Sequence, residues 1–92
     1  MNKQELEIIK QRALENHIPI IMDDTLEVLD KILRDVKPTR ILEIGTAVGY
    51  SAMCFSEYLE PEGKIDTIER DEERVAEARI NIEKDENKKY LI

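Results

Sequence analysis

The sequence predicts an α/β fold in which two leading helices precede alternating strands and helices, as in the first half of a doubly wound domain. Three observations predict it. Apolar residues recur at helical spacing over residues 3–17, again from Asp24 to about Val36, and once more after Asp71. Two short runs, Ile41-Leu42-Glu43-Ile44 and Lys64 to Ile68, break that spacing and read as strands. Between them Gly45 and Gly49 stand four apart, where the first strand would turn into a helix. Glycine loses the most backbone freedom on folding, so this density points to a turn needing positive φ or bare backbone.

Ninety-two residues suffice for one small domain. With 41% apolar and 38% charged residues, the chain reads as globular with a heavily charged surface. Its net charge of −7 argues against a nucleic-acid-binding surface in this segment, because phosphate binding is driven largely by Lys and Arg. It leaves open an RNA partner held by other parts of a longer protein. Trp is absent and only Phe55, Tyr50, Tyr58 and Tyr90 are aromatic, so no base-stacking platform is visible. The single Cys54 allows neither an intrachain disulfide nor a multi-cysteine zinc site, which fits a reducing compartment. The polar start, Met1-Asn2-Lys3-Gln4-Glu5, and the lack of any long apolar run argue against a signal or membrane segment. The expected location is cytoplasmic.

Taken in order, the first helix carries Leu6, Ile9 and Ala13, with Ile8 and Leu14 one position round. Asn16-His17-Ile18-Pro19 ends it, since the residue before proline leaves the α region. His17, the one histidine, has no partner in sight and reads as a polar helix-end residue. Ile18 to Met22 form an apolar connector. Asp23 and Asp24 read as N-cap residues of the second helix, Asp24 with Glu27 as a capping box. That helix is expected to bury Leu26, Leu29, Ile32, Leu33 and Val36 before Lys37-Pro38 stops it.

The nearly all-apolar strand Ile41–Ile44 suits a parallel strand covered on both faces. Tyr50 to Leu59 read as the next helix, with Ala52, Phe55, Ser56 and Leu59 on one face and Cys54 as a small buried side chain. Pro61-Glu62-Gly63 makes a turn into the second strand, which ends on Glu69. Asp71-Glu72-Glu73 opens the last helix at the positive end of its dipole. Val75, Ala78 or Arg79, and Ile82 form its apolar stripe, and Lys84, Lys88 and Lys89 come late. Tyr90-Leu91-Ile92 turns apolar again, as a third strand would. Residues 1–37 thus read as an N-terminal helical segment, and 38–92 as the incomplete first half of a doubly wound α/β domain. Two parallel strands are a poor basis for independent stability. A free strand edge invites self-association or a completing chain segment.

Ligands of open α/β sheets bind at the carboxyl ends of the strands, where Glu43 to Ser51 and Glu69 are delivered. Glu69 lies 24 residues after Gly45, near the spacing at which a strand-end acid accepts ribose hydroxyl bonds. A dinucleotide fingerprint wants a middle glycine where this chain has Ala47, which weakens the fit to a diphosphate. Glu43, two residues before Gly45, suits a ligand that brings positive charge to the turn. S-adenosylmethionine, with an ammonium, a sulfonium, no phosphate and a free ribose, fits better than NAD. A plain tight turn with a surface carboxylate is the bland reading of the same residues.

The run Leu42-Glu43-Ile44-Gly45-Thr46-Ala47-Val48-Gly49-Tyr50-Ser51, followed by Thr67-Ile68-Glu69-Arg70-Asp71, closely resembles the metal-dependent O-methyltransferases related to catechol O-methyltransferase. It is most similar to the bacterial branch that includes tRNA 5-hydroxyuridine methyltransferases. The resemblance spans roughly residues 18 to 84 and implies a partial Rossmann-like class I methyltransferase fold: two helices, then β-α-β-α. It implies that Glu43, Gly45 and Ser51 contact the methionine part of the cofactor and that Glu69 accepts the ribose hydroxyls. Ile21, with Met22 beside it, falls where the family packs a residue over the cofactor, and Thr46, Gly49 and Tyr50 shape the loop. The implied reaction is methyl transfer from S-adenosylmethionine to a hydroxyl of a small phenol or of tRNA, with Mg2+ helping to deprotonate it. The family's cation ligands and acceptor pocket come from later strands, so this chain alone is expected to lack them and the activity. Two other readings stand beside this one: an NAD-binding half of an oxidoreductase, and a non-catalytic domain acting by association.

Overall fold

The computed structural model describes residues 2–85 and 90–91. The elements run α1 (Lys3–Glu15), α2 (Asp23–Val36), β1 (Arg40–Ile44), α3 (Tyr50–Ser56), β2 (Lys64–Ile68), α4 (Glu72–Glu83) and β3 (Tyr90–Leu91). The three strands form one parallel sheet in the order β1-β2-β3. Its register sets Ile41 beside Ile65, Glu43 beside Thr67 and Ile44 beside Ile68.

Local chemistry explains the helix ends. Asn2 caps α1, its Oδ1 accepting the Glu5 N–H at 2.8 Å. At the other end His17 takes a left-handed φ of 55°. Its N–H donates to Leu14 O, and the Ile18 N–H donates to Ala13 O at 2.9 Å. This is a Schellman closure, with the buried Ile18 as its apolar anchor. The histidine is therefore a helix stop. Asp71 caps α4 through its Oδ1, which accepts from the Glu73 and Arg74 N–H groups.

Helix α2 departs from expectation at both ends. Its N-cap is Met22, with no side-chain capping bond. Asp23 is already helical and pairs instead with Lys10 of α1, Nζ to Oδ1 2.9 Å, while Asp24 bonds only its neighbour's N–H. Leu26, Leu29 and Leu33 are half-buried, but Ile32 and Val36 are exposed, so the buried stripe is narrower than the sequence pattern. In α1 likewise, Ile8 and Leu14 face outward and Ile9 and Ala13 inward. Helix α3 ends at Ser56 rather than Leu59, although Leu59 stays buried in the following turn. Helix α4 ends at Glu83; Ala78 is its inward residue and Arg79 is exposed, while Lys88, Lys89 and Ile92 lie outside the described residues.

Helix α3 joins the two core clusters. Tyr50 and Met53 pack with Ile9, Ala13, Ile18, Val48 and Ile82. Ala52 and Phe55 pack with Leu59 and Ile65, against Leu29, Leu33 and Ile41. Among the described residues, α3 packs on the face of the sheet that carries the buried Ile65 and Thr67. Parallel strands joined by right-handed crossovers that advance in one direction carry their connecting helices on the same face. Hence β1 is not covered on both faces as its composition suggested. Leu42, Ile44 and Ile68 are 67%, 75% and 54% exposed. The Arg40–Asp66 ion pair, 2.8 Å, spans β1 and β2 beside them.

Candidate functional site

A cleft of about 570 Å³ opens at the carboxyl end of β1. Glu43, Gly45, Thr46, Ala47 and Ser51 line it, together with Ile20 and Ile21 of the connector and Leu29 and Leu33 of α2. Five of the residues picked out in the sequence, Ile21, Glu43, Gly45, Thr46 and Ser51, therefore meet at one place.

The turn reaches this geometry through three successive left-handed positions, Gly45 (φ 95°), Ala47 (φ 49°) and Gly49 (φ 89°). A side chain added at Gly45 would meet nothing within 4 Å, so the bare backbone leaves open space facing the cleft. At Gly49 an added Cβ would touch Ile82 Cγ1 at 3.4 Å, an ordinary contact, so here it is the positive φ that calls for glycine. The Gly45 and Thr46 N–H groups both donate to Ile68 O, and the Gly49 N–H donates to Thr46 O. The Asn81 side-chain amide of α4 donates to Val48 O at 2.9 Å and pins the turn from below.

Glu43 is the polar centre of the cleft. Ser51 Oγ donates to its Oε2, and Thr67 Oγ1 donates to its Oε1 at 2.8 Å. Burial raises its pKa, and the two hydroxyl bonds oppose that rise by favouring the charged form. No basic side chain lines the cleft among the described residues. A part-buried carboxylate fed by two hydroxyls and lacking a protein cation suits a ligand that carries one.

Glu69 follows β2 and reaches back to the turn. Its Oε1 accepts the Ala47 N–H at 2.9 Å, and its Oε2 accepts the Asp71 N–H at 3.1 Å. These backbone donors, led by Ala47, hold its pKa below the usual carboxylate range. Each oxygen keeps a lone pair for a further donor, such as a hydroxyl.

Tyr50 stands apart from the cleft. Its ring is 7% exposed within the cluster that joins α1 to α3. Burial drives the pKa of its hydroxyl upward, and the nearby Cys54 thiol adds to the rise. Burial likewise pushes the Cys54 thiol up to about 11, which marks it as an inert packed thiol. Met22 is 70% exposed and does not line the cleft. Sequence reasoning missed the structural parts of Thr67 and Asn81. The inward position of Thr67 beside Ile65 was readable from strand alternation, since a buried hydroxyl there needs partners.

The fold and this strand-end site match the N-terminal part of a class I methyltransferase fold, and comparison with known proteins agrees. Residues 4–92 match the family model of protein-L-isoaspartate(D-aspartate) O-methyltransferase (PCMT), and the chain belongs to that family. A Staphylococcus aureus protein assigned as a caffeoyl-CoA O-methyltransferase is 32% identical, with a TM-score of 0.82 over 94% of this chain and 42% of its own. An O-methyltransferase from Bacillus cereus, solved with S-adenosylhomocysteine, is 27% identical, with a TM-score of 0.81 over 98% of this chain and 42% of its own. A Streptomyces achromogenes O-methyltransferase of tomaymycin synthesis, at 24% identity and TM-score 0.82, shares the fold over 99% of this chain. The chain thus spans about two-fifths of the length of these solved structures, 42% in each case. The O-methyltransferase kinship and the α/β class I fold expected from the Glu43–Ser51 run are both met.

Proposed function

We propose that this chain forms the S-adenosylmethionine-binding part of an O-methyltransferase. The observation that carries the proposal is the pair of differently prepared carboxylates at the strand ends. Glu43, desolvated and held by Ser51 and Thr67, is suited to the cofactor's ammonium. Glu69, kept ionised by two backbone N–H groups, is suited to two ribose hydroxyls. Gly45 and Ser51 would border the methionine portion, Ile21 would pack over the bound molecule, and Thr46 and Gly49 would hold the loop. Tyr50 would contribute by fixing the start of α3. When bound, the cofactor supplies an electrophilic methyl group; the chain's own residues bind, orient and exclude water.

The NAD reading fares worse on the same geometry. A pyrophosphate needs free backbone N–H groups at the glycine turn. Those of Gly45, Thr46, Ala47 and Gly49 are already spent on Ile68 O, Glu69 and Thr46 O. Isothermal calorimetry with S-adenosylhomocysteine and with NAD decides between the two, and binding of NAD alone would overturn the proposal.

The acceptor we propose from the resemblance is a hydroxyl, on a small phenol or on the 5-hydroxyuridine of tRNA. The family description favours a second reading, the carboxylate oxygen of an isoaspartyl residue. Methyl-transfer assays on a catechol, on tRNA and on an isoaspartyl peptide separate these. Among the described residues no group of three acidic, histidine or cysteine side chains is placed to hold a cation. No helix among the described residues is long and apolar enough to cross a membrane. We assign the protein to the cytoplasm on its single cysteine, and expect its bare sheet face to be covered by self-association or by a completing chain segment.

A further inference from the structure

We propose that Thr67 is a positioning residue that orients Glu43 and keeps it ionised for a cationic ligand. Thr67 is 1% exposed on the inner face of β2, directly beside Glu43 in the register. Its hydroxyl touches two oxygens, Glu43 Oε1 at 2.8 Å and Thr46 Oγ1 at 2.6 Å. A hydroxyl has one proton and a carboxylate only accepts. Thr67 therefore gives its proton to Glu43 and must accept one from Thr46. The direction of the relay is fixed: from the glycine turn, through β2, into the carboxylate rooted on β1. Ser51 of α3 closes on the other carboxylate oxygen. Two elements thus donate to one side chain, with the glycine turn behind one of them, and that side chain lines the cleft.

The surroundings make this relay matter. From α3 the titratable neighbour is the Cys54 thiol, on which Glu43 acts as one of several acids. From β2 Glu43 meets the neutral Thr67, with Glu69 beyond the strand end. From α2 the cleft is lined by apolar Leu29, Ile32 and Leu33. No cation stands among these groups, so the hydroxyl donors are what sustains the charge that burial opposes. Thr67→Val keeps the β-branched shape that suits the strand but removes the donor. Thr67→Ser keeps the donor.

This inference rests on the cofactor reading above, and the test separates the two. Calorimetry with S-adenosylhomocysteine is run from mildly acidic to neutral pH on the wild type, T67V and T67S. In parallel the Glu43 carboxyl is titrated by carbon-13 NMR in the ligand-free proteins. In T67V the carboxyl should titrate at higher pH, affinity should fall about tenfold, and the acid-side loss of binding should begin at higher pH. T67S should restore all three. Should T67V not fold, T67A gives the same readouts. An unmoved carboxyl titration in the hydroxyl-free variant overturns the proposal, even if affinity drops evenly at every pH. A shifted titration together with no wild-type binding of S-adenosylhomocysteine sinks the cofactor reading and leaves the positioning role supported.

Discussion

Glu69 Oε1 accepts the backbone N–H of Ala47 at 2.9 Å, which ties the end of β2 to the middle of the glycine turn 22 positions earlier. The contact orders both partners. It holds Ala47 in a left-handed conformation that an L-residue adopts at a cost of about 1–2 kcal/mol. In return the N–H keeps the carboxylate charged and aimed along the strand end.

Glu69→Ala should weaken S-adenosylhomocysteine binding by about 1.5–3 kcal/mol, the size of hydrogen bonds to a charged group. Calorimetry reads this directly, and unchanged affinity would place the ribose elsewhere. The pH dependence has a definite sign. A carboxylate whose folded pKa is lowered contributes stability above its unfolded value and loses it as pH falls through the folded one. Ligand-free Glu69→Gln should therefore be less stable than wild type at neutral pH, with the difference fading in acid.

Glu43 behaves oppositely. Its folded pKa is raised, so its contribution is full below the unfolded value and is lost as pH rises through the folded one. Ligand-free Glu43→Gln should melt no lower than wild type at neutral pH, yet bind S-adenosylhomocysteine more than about tenfold more weakly. Thermal melts and calorimetry on one preparation would show the two effects parting; a joint loss would mean that Glu43 is mainly structural.

The three left-handed turn residues make a graded series. Gly45→Ala meets open space and should cost only the backbone strain, about 1–2 kcal/mol. Gly49→Ala carries the same strain and meets Ile82 only at ordinary contact distance, so its cost should be similar. Ala47→Gly relieves strain and should be close to neutral. Chemical denaturation ranks the three, and a glycine variant as stable as the wild type would contradict this geometry.

Asn81→Ala removes the donor to the buried Val48 carbonyl and should destabilise the fold by about 1–3 kcal/mol. For a chain of this size that is a drop in melting temperature of at least about 4 °C. An unchanged melting curve would show that water replaces the amide without loss.

The bare sheet face predicts association. Leu42, Ile44 and Ile68 form an exposed apolar surface beside the free edge of β1. We expect this 92-residue chain to sediment as oligomers at micromolar concentration, and Ile44→Lys to shift it toward monomer. A sharp monomer with cooperative unfolding would contradict the expectation.

The sequence by itself determined the order of elements, the strand–glycine–helix turn and the two strand-end acids. Each of these is written in residues close together: a hydrophobic period, a proline stop, an acid before a helix, two glycines in five residues. Capping of α2 was misread because Asp23 is drawn to Lys10, a partner on another helix. Tertiary structure alone decided that Thr67 feeds Glu43, that Asn81 pins Val48, and that Tyr50 turns into the core and away from the cleft. These contacts cross 24 and 33 positions of chain in the first two cases, so no local spacing announces them. The same holds for β1, whose composition reads as a strand buried on both sides. Which face is covered depends on where the crossover helices lie, and α3 lies on the side of Ile65 and Thr67.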